Sequence, residues 1–92
     1  MKFRYKTAIN ASYERQGYIY FKSLTYPTML PRDKERIRRL CITVGGDHGQ
    51  ALLEHVTTGE SVKSVCQRHY IGSPTSLYRA IKRYYERFPA DM

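Results

Sequence analysis

The chain has 92 residues, with sixteen Lys and Arg against eight Asp and Glu, a formal net charge of +8 and a sequence pI near 9.7. Such a length suits one hydrophobic core rather than two, and 41% hydrophobic with 13% aromatic residues argues against disorder throughout. No run of ~18 apolar residues is present, and the basic start Met1–Lys6 lacks the apolar stretch of a signal sequence, so a membrane span is excluded and a cytoplasmic location expected.

Residues 1–30 differ in texture from the rest, being rich in Tyr, Lys and Arg. Phe3 and Tyr5 alternate with Lys2, Arg4 and Lys6, and Tyr18–Lys22 reads Tyr-Ile-Tyr-Phe-Lys, a pattern of short strands or an extended arm. Pro27 and Pro31 push the residues before them away from helical angles and mark a boundary. From Asp33 to about Thr43, the spacing of Ile37, Leu40, Cys41 and Val44 fits one face of a helix. Gly45 and Gly46 break it. A second helix is expected from Asp47 as N-cap to Gly59, with Ala51, Leu52, His55 and Val56 inward. Ser61 caps a third, short helix in which Val62, Val65, Cys66 and His69 recur at helical spacing, and Tyr70–Gly72 make a turn. The last helix has the clearest start signal: Ser73 as N-cap and Pro74 in the first turn, where its missing N–H costs nothing. Its apolar stripe is Leu77, Ala80, Ile81, Tyr84 and Phe88, opposite Thr75, Ser76, Arg79, Lys82 and Arg83. Cys41 and Cys66 fall on apolar stripes and are expected as buried thiols.

The expected fold class is therefore mainly α: a small helical bundle over residues 31–92 with a C-terminal helix-turn-helix at about 61–88, preceded by an extended or short-strand N-terminal arm over 1–30. The excess charge lies at the two ends. Residues 1–30 carry five basic and one acidic side chain, 31–60 five of each, and 61–92 six and two. A polyanionic partner is the first expectation. Two short helices joined by a tight turn, one face apolar and the other basic, are what a helix-turn-helix needs to lay its second helix in the major groove. On this reading Thr75, Ser76, Tyr78 and Arg79 meet base edges, and Lys63, Arg68, Lys82 and Arg83 grip phosphates.

The stretch Gly59-Glu60-Ser61-Val62-Lys63-Ser64-Val65-Cys66-Gln67-Arg68-His69 resembles the PapB family of transcription regulators of fimbrial adhesin operons, whose pattern is roughly G-x-S-x-K-x-V-C-x-[KR]-[YH]. The resemblance covers about the C-terminal half. It implies an all-helical DNA-binding fold in a bacterial protein, oligomerisation on DNA, and control of an adhesin operon. Lys63 and Arg68 carry over in the first helix of the motif, and Arg79, Lys82 or Arg83 in the second. The family's turn usually holds Asn, Asn and Gly followed by Tyr and Phe. Here Gly72-Ser73-Pro74-Thr75-Ser76 stands there, with Leu77 and Ile81 displaced by one residue, so different bases are expected to be read.

The expected function is thus sequence-specific binding of double-stranded DNA by a nucleoid-associated homodimer or higher homo-oligomer. RNA or single-stranded nucleic acid is an alternative, since Tyr5, Tyr18, Tyr20 and Phe21 interleave with Lys2, Arg4, Lys6 and Lys22 as stacking platforms do. Another is a protein-interaction module for an acidic partner. An N-terminal arm packed on a second subunit and adding phosphate contacts is preferred to the stacking surface. Cys41, Cys66, His48, His55 and His69 lack the paired spacing of a zinc site. No nucleophile elbow, phosphate loop or informative carboxylate pair is present, so no catalytic residue, cofactor, metal or small-molecule substrate is expected.

Overall fold

The computed structural model describes residues 3–92, which form five α-helices: α1 (Tyr13–Leu24), α2 (Pro31–Gly45), α3 (Gly49–Thr58), α4 (Val62–Arg68) and α5 (Pro74–Arg87). Single 3-10 turns lie at Tyr26–Thr28 and Gly46–His48. Among the described residues there is no strand, and no helix is long and apolar enough to cross a membrane.

The helix starts follow from local chemistry. Ser12 Oγ accepts the Arg15 N–H at 3.1 Å and opens α1; Ser61 Oγ accepts the Ser64 N–H at 3.1 Å and opens α4. Pro31 and Pro74 stand at the first positions of α2 and α5, where no intrahelical N–H bond is lost. Ser73 occupies the N-cap of α5 without making a side-chain bond. Asp47 lies in the 3-10 turn, and α3 begins two residues later at Gly49. The reason is steric: a Cβ on Gly49 would stand 3.0 Å from Ile42 Cα and 3.3 Å from the Cys41 carbonyl, so only glycine lets α3 start this close to α2.

One buried cluster draws on all five helices. Ile37, Cys41 and Val44 of α2 face Ala51, Leu52 and Val56 of α3, with Val62, Val65 and Cys66 of α4 and Leu77, Ala80, Ile81, Tyr84 and Phe88 closing it from the C-terminal side. α2 packs chiefly on α3 and α5, and α4 bridges α3 and α5. Burial of this stripe is what holds α5 in place, each fully buried large apolar side chain being worth about 1.5–3 kcal/mol. Burial also pushes the Cys41 thiol up to about 12, so it stays protonated at neutral pH.

The N-terminal region departs from expectation. Tyr18–Lys22, read as strand, is the middle of α1, and Ile19 is fully buried in the common core. The alternating aromatics misled because the buried stripe of α1 is Gln16, Ile19 and Ser23, polar at two of its three positions. Residues 3–12 remain without a helix or strand, but 6–11 are lashed to the domain rather than free. Gln16, fully buried, accepts the Lys6 N–H through Oε1 at 3.0 Å and donates from Nε2 to the carbonyls of Lys6 at 3.0 Å and Ala11 at 2.9 Å. Ile9 is buried beside it, and the Asn10 N–H donates to Glu86 Oε2 of α5 at 2.7 Å.

α1 and α5 are also tied through a buried hydroxyl pair. Ser23 Oγ donates to the Ile19 carbonyl at 2.6 Å, so the Tyr84 hydroxyl, 2.7 Å away, must donate to Ser23 Oγ. Removing either partner has unequal consequences, since an orphaned buried donor costs about 1–3 kcal/mol and a lost hydrogen bond only about 0.5–1.5. Ser23→Ala strands the fully buried Tyr84 hydroxyl, whereas Tyr84→Phe leaves Ser23 bonded to Ile19. Urea unfolding is expected to rank Ser23→Ala as the more damaging; the reverse order would contradict this donor assignment.

Candidate nucleic-acid interface

With Leu77, Ala80, Ile81 and Tyr84 turned inward, the remaining stripe of α5 faces solvent: Thr75, Ser76, Tyr78, Arg79 and Lys82 are all exposed. The five residues thus share the outward side of one rigid helix, as its amphipathic spacing predicts. The cations assigned to phosphates are placed differently from one another. Lys63 is exposed on α4. Lys82 forms an i,i+4 pair with Glu86 at 2.8 Å, an exposed and solvent-screened interaction, so a phosphate can displace it.

Arg68 and Arg83 are engaged within the chain. Arg83 is half-buried and donates from Nε at 3.1 Å and Nη2 at 2.8 Å to the Val44 carbonyl, capping the C-terminal end of α2. The Arg68 guanidinium bridges Glu54 and Glu60, fastening the end of α4 to α3 and to the loop between them. His69 joins the same cluster, its Nε2 3.1 Å from Glu54 Oε1. First His69 and then Arg68 hold the Glu54 carboxyl below the usual range.

The turn into α5 has a defined geometry. The Ile71 N–H donates to the Cys66 carbonyl at 2.9 Å and the Tyr70 N–H to the Gln67 carbonyl at 3.4 Å, the paired bonds of a Schellman cap. Tyr70 therefore occupies the left-handed position, φ 57°, where glycine is favoured, and its ring is 95% exposed. Ile71 packs back against the core and sets the direction in which α5 leaves.

Two features flank α5. On one side, Lys6, Ala8 and Ile9 of the N-terminal segment run beside Thr75, Tyr78 and Arg79, leaving a groove of ≈ 340 Å³ with an apolar floor. Lys6 Nζ lies 5.9 Å from the centroid of the Tyr78 ring. Next to it, Arg4, Lys6, Tyr20, His55, Tyr78 and Tyr85 line a second cleft. Arg4 and Lys6 thus extend the positive surface of α5, which the sequence could not reveal because nothing in it shows that residues 6–11 fold back on the last helix. Lys2 lies outside the described residues. The aromatic set splits: Phe3, Tyr13, Tyr20 and Phe21 meet edge-on or tilted on the outer face of α1, with Tyr5 against Tyr13, while Tyr18 stacks with Arg15. Among the described residues no three His, Cys, Asp or Glu side chains gather as a metal site.

His55 closes the second cleft. Its Nδ1 lies 2.7 Å from the Glu60 carbonyl, which can only accept, so Nδ1 carries the proton. Burial first, and the charge of Lys6 second, push its pKa down from 6.5 to about 4. Below pH 6.5 the unfolded chain takes up a proton that the folded chain refuses until about pH 4, so stability present above 6.5 is lost progressively between those values. Chemical unfolding at pH 7 and pH 5 is expected to show this loss in the parent and less of it in His55→Gln, which retains an amide donor. An equal loss in both would place the pH dependence elsewhere. No protein-family model, curated protein or solved structure matches the chain.

Proposed function

We propose that α4 and α5 act as a helix-turn-helix that binds double-stranded DNA, with α5 entering the major groove, and that the protein regulates transcription. The observation that carries this reading is the division of α5 into a buried stripe and an exposed one that bears Thr75, Ser76, Arg79 and Lys82. Thr75, Ser76, Tyr78 and Arg79, nearest the helix start, read base edges; Arg79 is the residue able to make a bidentate contact to guanine. Lys63 and Lys82 hold phosphates, while Arg68 and Arg83 chiefly fix the helices that present them.

Further support comes from the net charge of +8 and from the resemblance of Gly59–His69 to the PapB family. By that resemblance the target is an adhesin operon and the protein works as a homo-oligomer in the bacterial cytoplasm. A dimer is also sensible on physical grounds, because a single module buries only on the order of 600–1,000 Å² on DNA.

The exposed aromatic face of α1 favours one second reading: stacking on single-stranded nucleic acid. Tyr13 is 60% and Phe21 54% exposed there. Fluorescence anisotropy against a duplex, its scrambled counterpart and the single strand separates the two, since only the helix-turn-helix reading expects preference among duplexes. In the same assay Arg79→Ala is expected to lose about 1–3 kcal/mol and most of its sequence preference, while Lys82→Ala weakens all duplexes alike and lowers the salt slope by about 0.9. Unchanged discrimination in Arg79→Ala would remove α5 from the base-reading role.

A further inference from the structure

Resting on that reading, we infer that the groove between residues 6–10 and α5 seats one sugar–phosphate strand of the duplex, with Lys6 as a further phosphate contact and Gln16 as the residue that positions it. The chemistry of the groove fits such a strand. Its floor is apolar, from Ala8, Ile9 and Ile81, which suits deoxyribose; its rims carry Lys6 on one side and Lys82 on the other, which suits phosphate and leaves Arg79 to the bases. An apolar peptide would leave those cations unmatched, and a bare anion would leave the floor empty. Glu86 adjoins the groove through Lys82: its Oε2 accepts both the Asn10 N–H at 2.7 Å and the Lys82 ammonium at 2.8 Å, and a phosphate that draws Lys82 away leaves it bonded to Asn10.

What makes the second wall a wall is Gln16. Residues 7–11 are turns and bends whose own backbone bonds are Ile9 N–H to the Lys6 carbonyl at 3.2 Å and Ala11 N–H to the Ile9 carbonyl at 2.9 Å, and such a stretch would ordinarily sample many conformations. Here one fully buried amide meets both the N–H and the carbonyl of Lys6 at 3.0 Å and the carbonyl of Ala11 at 2.9 Å. The Lys6 backbone is thereby fixed from both sides, and its side chain projects along Tyr78. Ile9, 5% exposed, pins the centre of the strap. The ordering cost is therefore met on folding rather than on binding, which leaves Lys6 preorganised for phosphate.

The test is duplex binding by the full chain at several salt concentrations. Lys6→Ala is expected to bind more weakly and to lower the slope of log affinity against log salt by about 0.9, the signature of one lost phosphate contact. Gln16→Met, near-isosteric and without the amide, is expected to reproduce that loss with the helical circular dichroism intact. Adding Lys6→Ala to Gln16→Met should then bring no further change in slope, because a released strap no longer presents Lys6. A merely structural Gln16 would alter the melting temperature and leave the slope untouched. Should Gln16→Met not fold, Ile9→Ser releases the strap from its other anchor and takes its place in the cycle. Lys6→Ala with the parent's slope, while Lys82→Ala lowers it, overturns the inference and leaves the role of α5 standing. A parent that shows no salt-dependent duplex binding overturns both.

Discussion

Everything at the outer surface depends on the burial of one stripe of α5. Leu77, Ala80, Ile81, Tyr84 and Phe88 insert into a core to which every other helix contributes, so the rotation of α5 about its axis is fixed chiefly by the apolar effect. Because successive turns of a helix repeat every 3.6 residues, fixing one face fixes the other. Thr75, Arg79 and Lys82 are thereby presented together, on a backbone stiff enough to hold them in register. The tie between Tyr84 and Ser23 and the Arg83 cap on Val44 secure the same helix from both flanks, linking it to α1 and to the end of α2. A surface built this way needs little rearrangement to meet a rigid partner, which is the condition for recognition by a duplex.

How much of this is legible in the sequence varies with the kind of signal. α4 and α5 are legible because their starts carry capping residues and their buried positions are apolar at helical spacing, as with Ser61, Pro74 and the stripe from Leu77 to Phe88. α1 is not. Gln16 and Ser23 are among its most buried residues, and a polar side chain gives no sign of burial until its partners are seen: the Lys6 and Ala11 backbone for one, Tyr84 for the other. Tyr18, Tyr20 and Phe21 meanwhile sit on or near the surface and supply the alternating pattern that suggests a strand.

The candidate surface divides along the same line. Exposure of Thr75, Ser76, Tyr78, Arg79 and Lys82 follows from helical periodicity alone. The engagement of Arg83 with a carbonyl 39 positions away, or of Arg68 with Glu54 fourteen positions away, rests on tertiary placement that periodicity does not contain. Charge counted along the chain treated these arginines like any other cation, whereas the fold uses them to complete helix ends. The converse holds for Arg4 and Lys6, whose proximity to α5 arises only because the strap doubles back. Two cations of the N-terminal end are thus brought beside α5 by a strap that a buried glutamine holds.

The most direct measurement is nuclear magnetic resonance of the isotope-labelled chain titrated with a short duplex bearing its preferred sequence. Backbone amides of Thr75, Ser76, Tyr78, Arg79 and Lys82 should shift first and furthest, with those of residues 4–10 following and the outer face of α1 unmoved. Shifts centred on Tyr13 and Phe21, or spread evenly over the surface, would contradict the assignment of α5 as the DNA-facing helix.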